Sequence, residues 1–274
     1  MKFCRVKHFS FSAPRFGFCE GDRIHLLAND EALYDVAPQS KGSIAIAEAK
    51  LLAPVVPSKV VCVGRNYLEH ALELGNKLPE EPLLFLKAPS AIIASGELIE
   101  LPSQSNQVEH EGELGVVIGR RARNIGPDED PLAYVLGYTC VNDVTARDLQ
   151  RKDVQFTRGK SFDTFCPVGP FIVSDANVLD LEVTTRVNGT VKQQARTSAM
   201  AYPVPFLLRY ISGIMTLLPG DLIATGTPAG VSKLQPGDVV EVEVEGVGVL
   251  SNPVHDGTIR RPRNLPGNNV QLIG

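Results

Sequence analysis

Apolar and polar residues alternate over short stretches along most of the chain, and a period of two is typical of β-strands with one face in a core. Clear examples, separated by turn residues, are "VVCVG" (60–64), "GELGVVIG" (112–119), "VLGYTCVND" (135–143) and "DVVEVEVEG" (238–246). Helical periodicity is confined to residues 66–74 before Gly75, residues 130–136 and residues 203–215. The pattern predicts a β-rich α+β fold with a few short helices covering the sheets.

Proline and glycine divide the chain into three predicted parts. Residues 1–55 contain short alternating segments and predict a small N-terminal β domain. The Pro-punctuated stretch "LLAPVVPSK" (51–59) is typical of a linker, and it leads into a larger predicted domain at 58–256. The polar tail at 257–274, rich in Pro, Gly and Asn, is expected to lie over the surface or to be disordered.

Composition excludes several classes of partner. The net charge of −4 over 274 residues leaves no basic field for nucleic acid or an anionic membrane. No apolar run approaches the roughly 20 residues of a membrane span, and the first residues lack an apolar leader, so we expect a cytoplasmic protein. The five cysteines are scattered without a CxxC pair, which favours reduced thiols, with Cys62 and Cys140 in the core.

The stretch "EHEGELGVVIG" (109–119) carries an acidic trio. Glu109, Glu111 and Glu113 stand at every second position, so on a strand they share one face and repel one another. A hard divalent cation such as Mg²⁺ takes oxygen ligands and would neutralise this repulsion. The alternative is a solvated strand face, because "VEVEVEG" (240–246) shows the same alternation without other chemistry around it.

A fourth acid, Asp143, stands at the end of a predicted strand, just where the pattern turns helical. It can cap that helix, or it can converge on the acidic trio as a further metal ligand. Asp148 lies on the presumed helix beside Arg147 and Arg151, and we interpret it as a structural partner of one of these arginines.

The segment "GRNYLEHALELG" (64–75) carries a second constellation. On a helix, His70 and Glu73 are three residues apart and stack on one face. A carboxylate beside an imidazole raises its basicity and suits it to take a proton from water, although a solvated surface pair is the alternative. Lys160 lies in a predicted loop, and residues 223–231 form a Gly/Thr loop that can present hydroxyl and N–H groups to an anion.

Taken in order, these stretches resemble the fumarylacetoacetate hydrolase family. The matching strings, spanning about residues 58–254, are "GRNYLEHALELG", "FLKAPSAI", "HEGELGVVIG", "GYTCVNDVTARDLQ", "RGKSFDTFCPVGP", "VNGTVKQQARTSAM" and "LLPGDLIATGTPAGV". The resemblance implies rolled mixed β-sheets around a metal site, usually in a homodimer.

The resemblance also implies roles for individual residues. It makes Glu111, Glu113 and Asp143 the ligands of Mg²⁺ or Mn²⁺ (Ca²⁺ is possible in a crystal), with Glu109 outside the motif. The implied catalytic residues are the water-activating pair His70 and Glu73, on a lid helix, and Lys160, which faces the oxygens of the substrate. The implied substrate contacts are Arg65, Tyr67, Gln150 and Thr227.

The resemblance implies a metal-dependent hydrolase. Its expected reaction cleaves a C–C bond of a 2,4-dioxo acid of the acylpyruvate or fumarylpyruvate type, through a metal-bound enolate and a water activated by the His–Glu pair. Oxaloacetate decarboxylation and isomerisation or tautomerisation of a 2-oxo acid use the same metal site and stay open. A catalytically idle relative that binds a metal or a ligand is a third reading. In each case the expected partner is a small 2-oxo or diketo acid.

Overall fold

The computed structural model describes residues 1–35 and 38–257 of the chain. Its strands are β1 (Lys2–Lys7), β2 (Arg15–Glu20), β3 (Arg23–Leu27), β4 (Ser40–Ala45), β5 (Lys50–Leu52), β6 (Val60–Gly64), β7 (Leu83–Lys87), β8 (Ile92–Ile93), β9 (Ile99–Leu101), β10 (Val108–Glu109), β11 (Gly112–Ile118), β12 (Val135–Asn142), β13 (Thr145–Ala146), β14 (Cys166–Val173), β15 (Glu182–Val187), β16 (Thr190–Arg196), β17 (Leu222–Ala224), β18 (Val239–Val244) and β19 (Gly248–Asp256). The helices are α1 (Leu68–Glu73), α2 (Arg147–Lys152), α3 (Thr157–Lys160) and α4 (Val204–Ile214), with single 3-10 turns at Glu31–Tyr34, Ile46–Glu48, Pro89–Ala91, Pro131–Tyr134 and Thr197–Ala199. These elements confirm the predicted β-rich fold with few short helices.

The largest sheet runs in the order β4-β3-β2-β1-β14-β12-β11-β17-β6-β7, with β5 paired to β1 and β8 paired to β14. A second sheet runs β16-β15-β18-β19-β9, and β10 pairs with β13 alone. Both large sheets are mixed, because β6 runs parallel to β17 and β9 runs parallel to β19. Apolar side chains of β11, among them Leu114 and Val116, form one core cluster with Val183, Val242 and Leu250 of the second sheet.

The N-terminal strands extend the large sheet. Strand β1 pairs antiparallel with β14, where Lys2 lies opposite Val173 and Phe3 lies opposite Ile172. Residues 1–55 therefore share hydrogen bonds with the strands that follow the linker. Their status as a separate domain stays a prediction.

Burial separates the two acidic alternations that look alike in the sequence. All seven residues of β11 are buried, including Glu113. In β18 the valines at 240, 242 and 244 are buried, whereas Glu241 and Glu243 are partly exposed. The segment "VEVEVEG" is thus a half-solvated strand, and of the two alternating segments only the one at β11 has its acids withdrawn from water.

Two predicted helices are confirmed and one is wrong. Helix α4 occupies the predicted segment, and α1 ends before Gly75, whose φ of +71° is typical of a glycine that follows a helix. Residues 130–136 form only the single turn Pro131–Tyr134, in which the Asp130 side chain accepts from Leu132 N at 3.0 Å. Helix formation stops there because Val135 already pairs with Ile118 of β11.

Other predictions of the sequence concern cysteines, membranes and the tail. The five cysteines are free thiols, and Cys62 and Cys140 are fully buried, as predicted. Among the described residues, no helix has the length and apolar character needed to cross a membrane. Residues 258–274 of the predicted tail lie outside the described residues.

The linker is attached to the sheet by Asp221, a fully buried carboxylate just before β17. Its Oδ1 accepts from Ser58 Oγ at 2.7 Å and from the backbone N–H groups of Ser58 and Lys59, at 3.0 and 3.2 Å. Its Oδ2 accepts from Leu218 N at 2.8 Å and contacts Lys59 Nζ. One side chain thus joins the linker, the turn before β17 and a lysine.

Replacing this carboxylate should destabilise the fold. We expect Asp221→Asn to lower the free energy of unfolding by about 3 kcal/mol, because an amide cannot accept all these bonds and leaves Lys59 unpaired. Urea unfolding followed by circular dichroism measures the change. Asp180→Asn, which removes an exposed partner of Arg196, is the matched control and should move the midpoint little. Equal effects of the two variants would contradict this role of Asp221.

Candidate metal centre and its cavity

A cavity of about 480 Å³ opens beside the buried acids. Its wall is formed by the end of β6 and the turn after it, by α1, β7, α2 and α3, and by the acids themselves. A volume of this size holds a small organic molecule. Polar and apolar groups both line it, including the carboxylates near β11 and the side chains of Leu74, Leu83, Phe85 and Phe156.

Strand register brings the three predicted ligands together. Gly112 of β11 lies opposite Asn142 of β12. Glu111 and Glu113 are the neighbours of Gly112 along the chain, and Asp143 follows Asn142, so the register brings the three residues close together. Asp143 N also donates to Glu111 O at 2.8 Å. All three carboxylates are buried, and one oxygen of each lies within 4.8 Å of the others. The three residues therefore form a buried acidic cluster that can hold a divalent metal ion.

One oxygen of each carboxylate is held by a donor outside this cluster. These contacts join Glu111 Oε1 to the Arg147 guanidinium, Glu113 Oε2 to Gly226 N at 2.7 Å, and Asp143 Oδ1 to Lys87 Nζ at 2.6 Å. The second oxygens of Glu111 and Asp143 both accept from Lys160 Nζ, at 2.7 Å each. The outer donors thus orient all three carboxylates, as the partners of metal ligands commonly do.

Charge compensation within the cluster is incomplete. Three buried cations, Lys87, Arg147 and Lys160, face the four buried carboxylates, which are the three cluster residues and Glu109. Glu113 makes no ion pair with a cationic side chain of the described residues. Burial, together with the neighbouring Asp143 and Glu111, raises the pKa of Glu113 well above its usual value. A cluster of oxygen donors with one uncompensated acid fits a divalent cation.

Arg147 organises the acids that precede β11. Its Nε donates to Glu109 Oε2 at 2.7 Å, its Nη1 donates to Gln150 Oε1 at 2.6 Å, and its Nη2 contacts Glu111. Burial opposes the charge on Arg147, but Glu111 and Glu109 outweigh it and raise the pKa of the guanidinium. Glu109 lies outside the cluster, as the resemblance implies, and it is linked to Glu111 only through this arginine.

Asp148 has the structural role that the sequence predicts, but the expected arginine partner is wrong. Its carboxylate accepts from Ser105 Oγ at 2.6 Å and from Asn106 N at 2.9 Å, and so it anchors a loop. The idea that Asp143 caps a helix is wrong as well, because Ala146 occupies the position before α2. Because Asp148 accepts from these other donors, it does not compete with Glu109 and Glu111 for the Arg147 guanidinium.

His70 and Glu73 lie side by side on α1, as predicted, without a hydrogen bond between them. His70 Nδ1 is 3.5 Å from Glu73 Oε2 and has no hydrogen-bond partner among the described residues. Both Glu73 oxygens accept instead from Gly230 N, at 3.1 Å. Burial lowers the pKa of His70 against the opposing effect of Glu111, so the imidazole is neutral at neutral pH. A neutral imidazole that lines the cavity can act as a base.

Lys160 does not lie in a loop, as the sequence suggested, but ends the one-turn helix α3. A Cβ at the preceding Gly159 would stand 3.0 Å from Gln150 N and 3.1 Å from Ala146 O, so glycine allows α3 to approach α2 closely. Burial opposes the charge on Lys160, but Asp143 and Glu111 outweigh it and raise its pKa. The ammonium group therefore stays charged inside the cavity wall.

The four predicted substrate contacts divide into two groups. Arg65, Gln150 and Thr227 line the cavity. Tyr67 does not line it, because its ring is 97% buried in a core cluster with residues such as Val63 and Leu114. The Thr227 hydroxyl accepts from Gln193 Nε2 at 2.7 Å and donates to Gly112 O at 2.9 Å, so its hydrogen is already engaged.

Sequence reasoning missed four residues that position the site: Lys87, His110, Arg147 and Gln193. Lys87 lies within the quoted "FLKAPSAI", where its charge in an otherwise uncharged segment is the one signal of a role. His110 is fully buried, and its ring nitrogens lie 3.0 Å from Gln193 Oε1 and 2.9 Å from Ser232 Oγ. These partners are 83 and 122 residues away along the chain, so no local pattern indicates them.

Two family models match this chain, and they cover different parts of it. The family model described as "Fumarylacetoacetate (FAA) hydrolase C-terminal" matches residues 59–255, and the one described as "Rv2993c-like, N-terminal" matches residues 1–54. Oxaloacetate tautomerase YisK of Bacillus subtilis is 40% identical over 253 residues, which cover 86% of this chain and 84% of that protein.

Two solved structures share the fold over 93% of this chain. One is a 2-hydroxyhepta-2,4-diene-1,7-dioate isomerase from Mycobacterium marinum, with 43% identity, a TM-score of 0.85 and 98% of that chain covered. The other is a fumarylacetoacetate hydrolase from Exiguobacterium antarcticum, with 38% identity, a TM-score of 0.83 and 99% of that chain covered. The chain therefore belongs to the fumarylacetoacetate hydrolase family.

Proposed function

We propose that this protein is an isomerase that interconverts the keto and enol forms of a 2-oxo dicarboxylic acid, with Mg²⁺ or Mn²⁺ held by Glu111, Glu113 and Asp143. The observation that carries the proposal is that two buried side chains, His70 and Lys160, line the same cavity beside the acidic cluster. The names of two similar proteins support it, since one is called an oxaloacetate tautomerase and the other a heptadienedioate isomerase.

The bound metal ion would supply Lewis-acid polarisation of the 2-oxo group. In the keto-to-enol direction, His70 accepts a proton from C3 through Nε2, since its Nδ1 is buried against Glu73. The C–H electron pair becomes the C2–C3 double bond, and the carbonyl electrons move to O2. Lys160 stabilises the charge on O2, and O2 then takes a proton from solvent water, so one proton leaves carbon and one reaches oxygen.

The state of Glu73 favours this reaction over hydrolysis. A hydrolase needs a base that is supported strongly enough to deprotonate water, whereas a tautomerase needs only a neutral imidazole within reach of C3. Glu73 binds Gly230 N with both oxygens and makes no hydrogen bond to His70. In this arrangement the Nδ1 side of the imidazole faces a carboxylate at 3.5 Å without a short hydrogen bond, so the support from Glu73 is weak.

Hydrolysis of a 2,4-dioxo acid is the second candidate. The observation that favours it is the adjacency of His70 and Glu73 on one helix face, where a small shift of Glu73 would restore the pair. Decarboxylation of oxaloacetate would begin from the same cavity. The small 2-oxo acid partner, the homodimer and the cytoplasmic location implied by the sequence stay predictions.

The proposal makes a direct prediction about turnover. With Mg²⁺, the purified protein should accelerate the decay of enol-oxaloacetate absorbance while the total oxaloacetate stays constant. Acetylpyruvate and fumarylpyruvate, assayed in parallel for released pyruvate, should react far more slowly. Rapid release of pyruvate from either diketo acid would contradict the tautomerase and support the hydrolase.

Variants of the helix α1 pair should separate the two candidates. We expect His70→Gln to lower kcat for tautomerisation by about 10²–10⁴, because it removes the base. Glu73→Gln should lower the same rate less than about tenfold, because Glu73 does not bind the imidazole in this state. Both rates come from the enol assay. Losses of equal size in the two variants would show that the pair acts as a unit, as hydrolysis requires.

Metal binding can be tested without turnover. Glu113→Ala should weaken Mn²⁺ binding more than about 100-fold in isothermal titration calorimetry, because it deletes a ligand of the proposed metal site. The matched control Glu109→Ala should weaken binding less than about tenfold, since Glu109 acts on Glu111 only through Arg147. If Glu109→Ala abolished binding and Glu113→Ala did not, the ligand assignment would be wrong.

A further inference from the structure

Arg65 lines the cavity without a partner of its own. Within the part of the chain that the structure describes, its guanidinium makes no hydrogen bond or ion pair. The other inner cations are engaged, because Arg147 uses all three nitrogens on acids and Gln150, and Lys160 bridges Glu111 and Asp143. Arg65 is therefore the half-buried cation of the wall that remains available to an anion from outside.

The backbone at Arg65 is held in an unfavourable conformation. Its φ of +57° lies in the left-handed region, which a side chain other than glycine adopts at a cost. The next residue, Asn66, fixes this turn by donating to Thr225 O at 2.7 Å and to Tyr202 O at 3.1 Å, and by accepting from Tyr202 N at 2.8 Å. A strained backbone conformation that several neighbouring hydrogen bonds hold in place, as here, is common at ligand sites.

Strand β7 shows where Arg65 lies relative to the acidic cluster. Side chains of Lys87, Phe85 and Leu83 share one face of β7, because they stand two residues apart. Lys87 binds Asp143, the Phe85 ring lies 4.8 Å from Lys160 Nζ, and Leu83 pairs with Gly64, the residue before Arg65.

The Arg65 end and the Asp143 end of this wall are four residues of strand apart, or about 13 Å along the backbone. Leu83 and Phe85 line the cavity between them. The β7 side of the wall between the two ends is thus apolar, and it leaves the Arg65 guanidinium as the charged group at its far end.

From these observations we infer that Arg65 binds the distal carboxylate of the substrate, the one farthest from the 2-oxo group, and so selects dicarboxylic over monocarboxylic 2-oxo acids. The inference rests on the proposed function for the identity of the 2-oxo end. An arginine fork matches a carboxylate with two parallel hydrogen bonds. The acidic cluster and Lys160 bind the reacting end of the substrate, and Arg65 recognises the length and charge of its other end.

The test compares substrates that differ only in the distal charge. Oxaloacetate and the six-carbon 2-oxoadipate are each paired with the methyl ester of the distal carboxylate, and binding to the full-length protein with Mg²⁺ is measured by calorimetry. We expect the wild type to prefer at least one diacid over its ester by about 10–100-fold, as for other charge-assisted hydrogen bonds. In Arg65→Met this preference should fall below about fivefold, and in Arg65→Lys it should be intermediate.

The matched control is Arg151→Met, which removes an exposed cation of the same cavity wall, and it should keep the wild-type preference. A wild type without a preference in either pair would overturn the inference. So would an Arg65→Met protein in which binding of the diacid and of the ester falls by the same factor, because the preference would then be unchanged and Arg65 would serve the common end or the fold. Because binding is the readout, an absence of tautomerisation would reject the proposed function while leaving the Arg65 result decisive.

Discussion

The burial of four carboxylates at one point of a β-fold is the constraint on which the rest of the site depends. Charges withdrawn from water are costly unless cations and hydrogen bonds replace the lost hydration. Here Lys87 from β7, Arg147 from α2 and Lys160 from α3 provide that replacement. Strand β7 and the two neighbouring helices α2 and α3, about 60 residues further along the chain, are therefore fixed to one centre, and all three elements line the cavity.

The same constraint explains several backbone features near the site. A Cβ at Gly112 would stand 1.9 Å from Thr185 Oγ1, and a Cβ at Gly230, whose φ is +103°, would stand 1.9 Å from Lys192 O. Glycine at these positions lets β15 and β16 of the second sheet approach the acids and the loop at 225–232. Because of this proximity, Gln193 of β16 reaches three groups of the site. Its Oε1 accepts from Gly112 N and contacts His110 Nδ1, and its Nε2 donates to Thr227 Oγ1.

Local features of the site could be predicted from the sequence, and contacts across the fold could not. The alternation around Glu111 and Glu113, and the spacing of His70 and Glu73, depend on a few consecutive residues, so period and spacing indicate them. The bond from Lys87 to Asp143 joins residues 56 positions apart, and that from Gln193 to Gly112 joins residues 81 apart. Such bonds follow from strand register, which no single stretch of sequence determines.

Under the proposed function, the position of the Glu73 side chain decides between tautomerisation and hydrolysis in this cavity. Under that function, the acidic cluster, Lys160 and His70 would move a proton between carbon and oxygen, whereas hydrolysis would also require Glu73 to support His70 against water. Glu73 is held by Gly230 N, and Gly230 in turn packs against β16. The two Glu73 oxygens share the one hydrogen of Gly230 N at 3.1 Å each, and Oε2 lies 3.5 Å from His70 Nδ1, so a closer approach to His70 would weaken the contact with the loop. Under the proposed function, the contact between Glu73 and the loop at Gly230 would therefore favour tautomerisation.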